Sequence, residues 1–264
     1  MAMAIFIDSH CHFDFPDFDD DREDVLRNAW GLGVRRIIAP SVGIQNWTRI
    51  SQLAKSFDEL NFALGIHPLY LHEHLELHLD ELDNQLREQR ADVSAVGECG
   101  LDATADIDFD VQLYFLSEQL RMAKALDLPV ILHSRKTHSQ LAKRVKESGV
   151  KCGVVHAFSG SYEEGVQFVK LGLKLGVGGV ITYDRAQKTR KAISRLPLES
   201  LLLETDAPDM PLCGRQGRRN SPEMIPQVFN VLCALREEAP ERISDTILQN
   251  TIDTFDLPGF ESKP

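Results

Sequence analysis

The chain predicts a single (β/α)8 barrel of the TIM type, and three observations carry that expectation. Short apolar runs alternate with helix-period segments from end to end, eight such runs are present, and 264 residues suit one barrel of about 250. The runs fall at 5–8, 36–39, 61–65, 94–97, 130–132, 153–155, 173–177 and 201–204. Each is predominantly apolar, as expected for parallel strands covered on both faces. The segments between them are amphipathic; over 111–126, for instance, Leu113, Leu116, Leu120 and Ala123 recur at helical spacing. A further helix over 241–255 closes the fold. No linker, internal repeat or low-complexity tract breaks the alternation, so one domain over 1–264 is the economical reading. A doubly wound open sheet shares this alternation.

Composition narrows the functional classes. Hydrophobic residues make up 43%, enough for a sizeable core, and the formal net charge is −11. An acidic surface repels nucleic acid unless basic residues are gathered locally, which argues against a general DNA-binding protein but admits an enzyme that grips one phosphodiester. The five cysteines form no C-x-x-C pair and read as reduced thiols. Cys11 and Cys99 adjoin interesting residues, but strand alternation turns them away, and buried small hydrophobe is the preferred reading. The opening run Met1 to Ile7 is too short for a signal segment, and no stretch is long enough to span a membrane. The expectation is a soluble cytoplasmic protein with no membrane association and no obligate protein partner.

In a barrel, chemistry gathers where strands end at the C-terminal face. His10 and His12 follow the first run, Glu98 the fourth, His133 the fifth, His156 the sixth and Asp206 the eighth. Imidazoles and carboxylates therefore converge on one mouth from five strands. Alternation puts His10 and His12 on one face, able to clip one cation, with Asp8 positioned to support them. Taken alone the pair is more often a chance feature of a turn than a metal clip. Glu98, between Gly97 and Gly100, ends an apolar strand without a basic neighbour, which is costly unless it is paired or bound to metal. A carboxylate there can bridge two cations, or serve as a salt-bridged structural acid. His133 and His156 are plausible ligands for a second ion bridged by Glu98, although either alone could be a satisfied core histidine. Asp206 could both ligate the first metal and accept a proton from the attacking water.

Six segments in register resemble the TatD family of metal-dependent deoxyribonuclease-like hydrolases, within the amidohydrolase superfamily. They are Asp8-Ser9-His10-Cys11-His12, Gly65-Ile66-His67-Pro68, Gly97-Glu98-Cys99-Gly100-Leu101-Asp102, Leu132-His133-Ser134-Arg135, His156-Ala157-Phe158-Ser159-Gly160 and Leu203-Glu204-Thr205-Asp206-Ala207-Pro208. The match runs from about residue 5 to 255. The resemblance implies a TIM-type barrel with two divalent cations, zinc, manganese or magnesium. It assigns His10, His12, Glu98 and Asp206 to one metal, and Glu98, His133 and His156 to the other. It also implies His67 as a substrate or phosphate contact, Glu98 as the bridge and Asp206 as general base. Two departures fall in loops: Ala103-Thr104-Ala105 replaces the aromatic that often follows the Gly-Leu-Asp step, and Asn220-Ser221-Pro222 replaces an Asn-Glu-Pro-like step.

Other polar clusters read more plainly. His72, His74 and His78 imitate a metal motif, but Leu75, Leu79, Leu82 and Leu86 mark a helix whose polar side would carry His74 and His78. His138 belongs to the fifth helix. The acidic run Asp14 to Asp21 suits a loop entering a helix N-terminus. Arg135, Lys136, Arg185, Lys188, Arg190, Lys191, Arg215, Arg218 and Arg219 follow strands five, seven and eight, and would either rim the mouth or solvate loops. The expected function is two-metal hydrolysis of a phosphodiester in DNA or a small nucleotide ester, with Arg135 or the Arg218 region holding phosphate. The alternative is another ester, lactone or amide, since one barrel hosts many chemistries.

Overall fold

Every one of the eight apolar runs becomes a strand in the computed structural model, which describes residues 4–259. The expected domain limits, and the first residues of the N-terminal run, lie outside the described residues. The strands are β1 (Phe6–Asp8), β2 (Val34–Pro40), β3 (Leu60–Leu64), β4 (Val93–Asp102), β5 (Val130–Arg135), β6 (Gly153–Val155), β7 (Lys174–Val177) and β8 (Leu201–Leu203). All pair in parallel and in sequence order. The ring closes beyond the short ends of β1 and β8, where Ser9 N donates to Leu203 O at 2.9 Å and Cys11 bridges Ala207. The fold is thus the expected barrel rather than an open sheet.

Alternation along the strands sorts side chains into two clusters. Ile7, Ile38, Ala63, Ala95, Ile131, Val154 and Leu202 form the inner one, plugged by Phe255 and Leu257. Their neighbours Ile37, Ala39, Val130, Leu132, Leu201 and Leu203 join the larger outer cluster. Each fully buried Leu or Ile contributes about 1.5–3 kcal/mol relative to exposure.

The helices are α1 (Arg22–Gly31), α2 (Ile44–Ser56), α3 (Leu77–Glu88), α4 (Phe109–Leu126), α5 (His138–Ser148), α6 (Tyr162–Lys170), α7 (Gln187–Ile193), α8 (Ile225–Leu235) and α9 (Pro240–Phe255). Their sequence signals act as physical chemistry requires. Asp108 caps α4 by accepting from Asp110 N at 2.7 Å, and Ser161 with Glu164 forms a capping box on α6. Leu116, Leu120 and Ala123 of α4 are buried as expected.

Three expectations need correction. β4 runs on to Asp102 and β5 to Arg135, because Cys99 to Asp102 keep pairing with Leu132 to Arg135, so Glu98 and His133 lie within strands. Leu75 is 62% exposed and precedes α3, whose buried stripe is Leu79, Leu82 and Leu86. His74 likewise precedes that helix and is buried. Its Nδ1 lies 2.8 Å from Tyr70 O, while its Nε2 accepts from Ile44 N at 3.1 Å. It ties the loop after β3 to the first turn of α2.

Candidate metal centre

Glu98 enters the barrel mouth because of a slip in register. In the β4–β5 ladder Val96 faces Val130 and Cys99 faces Leu132, so β4 spends three steps where β5 spends two. Strict alternation from the inward Ala95 would turn Glu98 outward; the extra residue reverses the phase. Cys99 then joins the outer core and Glu98 the interior. Gly97 is required there, since its φ is +149° and a Cβ would lie 2.6 Å from Ile131 O.

The two Glu98 oxygens divide the imidazoles. Oε2 lies 3.2 Å from His10 Nε2 and 3.5 Å from His12 Nε2. Oε1 lies 2.7 Å from His156 Nε2, 3.2 Å from His133 Nδ1 and 3.2 Å from His67 Nε2. Asp206 Oδ1 completes the first side at 3.3 Å from His10 and 3.7 Å from His12. His156 spans both sides, because its ring stacks on His10 with centroids 3.9 Å apart and it groups with His10 and Asp206.

These residues fit a cation. Ligands about 2.1 Å from one tetrahedral ion stand about 3.4 Å from each other, the spacing seen here. Both Glu98 oxygens are buried without a hydrogen bond of good geometry, a costly arrangement unless positive charge faces them. Three sets of donor atoms each lie within 4.8 Å of one another: His10, His12 and Glu98; His10, His156 and Asp206; and His67, Glu98 and His133.

Electrostatics agree with the geometry. Burial pushes the Glu98 carboxyl up, but the facing imidazoles of His156, His67 and His10 outweigh it and hold it well below the usual range. Burial lowers His10 well below its ordinary value and His12 to about 4, so both rings are neutral and have lone pairs to offer. His156 goes the other way, to about 10, because Glu98 overcomes burial. Burial and Glu98 raise Asp206 to about 7, against the pull of His156.

His67 has a different tautomer. Its Nδ1 accepts from Leu69 N at 3.1 Å, so the neutral ring carries its proton on Nε2 and donates toward Glu98 Oε1. It is a donor rather than a ligand in this arrangement. Arg135 ends β5 at the mouth, exposed, with no ion pair among the described residues. Other basic residues are already engaged: Arg219 pairs with Asp21, Arg190 donates to Ile181 O, and Lys188 reaches Glu164. The acidic run is likewise partnered, with Asp19 on Arg22 and Arg49 and Asp14 buried on Asn46.

Several contributors had no role assigned from sequence. Asp102 Oδ2 lies 2.9 Å from His133 Nε2, and Thr104 locks the other oxygen through its N–H at 2.7 Å and hydroxyl at 2.6 Å. Thr104 belongs to the unusual Ala103-Thr104-Ala105 step, which therefore has a local purpose. Glu204, fully buried, accepts from Ala157 N at 2.5 Å and stands 3.9 Å from His156 Nδ1. It fits because Gly176 has no side chain; a Cβ there would lie 1.9 Å from Glu204 Oε2. Gln119 holds Ile66, beside His67, through both backbone groups, and Gln112 does the same for Asp102. Both glutamines lie on the buried face of α4, and a polar residue recurring in an apolar stripe was the available signal. Asn220 Nδ2 donates to Thr205 O, Asp209 O and Met210 O, bracing the loop after Asp206. Asp8 supports backbone rather than rings, accepting from His10 N, Thr205 N and Thr205 Oγ1.

A parallel barrel with clustered imidazoles and carboxylates at its C-terminal mouth defines a metal-dependent hydrolase. The model of the family described as TatD related DNase matches residues 7–256, and the chain belongs to that family. It is 51% identical over 255 residues to the uncharacterized metal-dependent hydrolase YjjV of Escherichia coli K12, covering 96% of this chain and 98% of that one. An uncharacterized metal-dependent hydrolase of Haemophilus influenzae is 42% identical over 261 residues, covering 95% and 99%. The crystal structure of YjjV, a TatD homologue from E. coli, superposes with a TM-score of 0.93 at 50% identity, covering 96% of this chain and 98% of that chain.

Proposed function

We propose that this hydrolase cleaves phosphodiester bonds, in DNA or a small nucleotide ester, at a centre holding two divalent cations. The observation that carries the reading is the division of Glu98: one oxygen faces His10 and His12, the other His133 and His156. His10, His12, Glu98 and Asp206 would hold one ion and Glu98, His133 and His156 the other, with Glu98 as the bridge. Bound cations of this kind lower the pKa of water and neutralise phosphoryl oxygens. Asp206 orients the attacking water and takes its proton. With Glu98 Oε1 turned to a cation, His67 Nε2–H would be free to donate to a phosphate oxygen, and Arg135 would hold the phosphate from the mouth. The imidazole-rich donor set suits zinc, while the carboxylates also admit manganese or magnesium. The family's description as DNase-related supports a nucleic-acid substrate. A cytoplasmic setting is in keeping with five free cysteines; no helix of the described residues is long and apolar enough to cross a membrane.

The test combines metal quantitation with a substrate panel at matched metal. We expect close to two ions per chain and metal-dependent turnover of phosphodiesters above carboxyl esters, lactones and amides. Turnover confined to the esters or amides would replace the bond assigned here and leave the metal centre standing.

A further inference from the structure

Two aromatic rings border the cluster without serving it as donors. Phe15 is half-buried and stacks on the His12 ring, with centroids 4.7 Å apart and planes at 21°. Tyr70 is half-buried and meets the His67 ring edge-on, with centroids 5.9 Å apart. Each is held at both its backbone groups. Phe15 N donates to His12 O at 3.0 Å and Phe15 O accepts from Arg22 at 3.1 Å. Tyr70 N donates to His67 O at 3.0 Å and Tyr70 O lies 2.8 Å from His74 Nδ1. The Tyr70 hydroxyl makes no hydrogen bond among the described residues.

The surroundings of Tyr70 are acidic, whereas Phe15 also has Arg22 on its backbone oxygen. Burial raises the Tyr70 phenol, and the carboxylates of Asp209, Glu73, Glu98 and Asp14 raise it further, in keeping with a ring set over the mouth. Asp209 is itself raised by burial and by Asp17. Arg135 and Lys136 stand instead at the end of β5. The carboxylates around Tyr70 therefore disfavour a phosphate at that ring, Arg135 and Lys136 favour one at the β5 end, and an uncharged flat ring suits the Tyr70 side. We propose that Phe15 and Tyr70 are specificity-determining residues that take a flat aromatic ring of the substrate, a nucleobase joined to the scissile phosphate, beside the cluster. The inference rests on the phosphodiester reading above. Stacking on such rings is tolerant of base identity, so the walls select planarity more than sequence.

The experiment uses the metal-loaded full chain and two substrates with one leaving group: thymidine 5′-(p-nitrophenyl phosphate) and its 5,6-dihydro analogue, whose ring is saturated and puckered. Wild type should favour the planar base about tenfold in kcat/KM, chiefly through KM. Tyr70→Ala and Phe15→Leu should each bring that ratio toward one, while Tyr70→Phe, which keeps the ring, should preserve it. Circular dichroism and metal content establish that the variants are folded and loaded. Equal KM for both substrates, or a preference that survives Tyr70→Ala and Phe15→Leu, overturns the inference and leaves the phosphodiester reading intact. No turnover of either diester, with turnover of a carboxyl ester or amide, overturns that reading and this inference with it.

Discussion

His10, His12 and Asp206 stand on the seam where β8 meets β1, whereas His133 lies in β5 and His156 directly follows the adjoining β6. The seam side is positioned by backbone. Asp206 N donates to His10 O at 2.9 Å and His12 N to Ala207 O at 2.7 Å. Asp206 is held at φ 59°, a left-handed conformation that a side chain rarely adopts unless its surroundings impose it. The rings of His10 and His12 are aimed without help at Nδ1, which is buried and unpaired in both. On the other side Asp102 holds the His133 ring through Nε2, whereas Glu204 stands 3.9 Å from His156 Nδ1, which is itself buried and unpaired. One half depends on barrel closure, the other on a buried acid, Asp102, behind His133. The two should therefore fail differently.

The largest effects should come from the donors shared across or anchored at the seam. Glu98→Gln, His10→Ala and Asp206→Asn should each lose about 10⁴-fold or more of turnover, as when one member of a reacting constellation is removed. Their circular dichroism should stay that of the parent. Wild-type-like rates in His10→Ala and Asp206→Asn together would sink the assignment of the centre. Smaller, and confined to one half, should be Asp102→Asn. It should weaken metal affinity or activity by about 10- to 100-fold through His133, the ring that Asp102 supports. Calorimetric titration with zinc should then show one of two binding steps shifted; a shift of both equally would erase the distinction between the halves.

Loosening the seam should act on stability first. Thr205→Val removes the 2.6 Å hydroxyl bond to Asp8, whose carboxylate is fully buried, and should cost about 1–3 kcal/mol in urea unfolding. The same kind of measurement on Thr104→Val, which borders the other half and is itself exposed, should give a smaller loss. The mildest expectation concerns His74, which clamps the loop carrying Tyr70 beside neither half. Its pKa is lowered by burial first, then by His78 and His72, against Tyr70 O and Glu73. The unfolded chain then takes its proton near pH 6.5 before the folded chain does. Its contribution should be whole above that pH and decline as the pH falls through the lowered folded value. His74→Gln should flatten that part of the stability profile.

The barrel was legible because parallel strands buried on both faces leave an unmistakable record: short apolar runs at regular intervals, each followed by a helical stripe. Strand limits were less so. β4 extends well past its apolar run, because pairing with β5 continues through Gly100 and Asp102, which no hydropathy pattern marks. His74 was misplaced for a related reason. The stripe Leu79, Leu82, Leu86 was read correctly, but its extension to Leu75 was not, since the helix starts only at Leu77. The residues behind the rings were present in the quoted motifs, yet nothing in one dimension separates Asp102 or Glu204 from an ordinary loop acid.

By itself the sequence determined the fold class and the list of imidazoles and carboxylates that end the strands, since both follow from local periodicity. Tertiary structure decided which way Glu98 points, which oxygen faces which histidines, and that His67 presents a donor. It also decided that Gly176 makes room for Glu204. The reason is physical: these are consequences of register and of contact between strands far apart in the chain. A one-residue slip against β5, invisible in β4 alone, turns a carboxylate from the helix layer into the mouth.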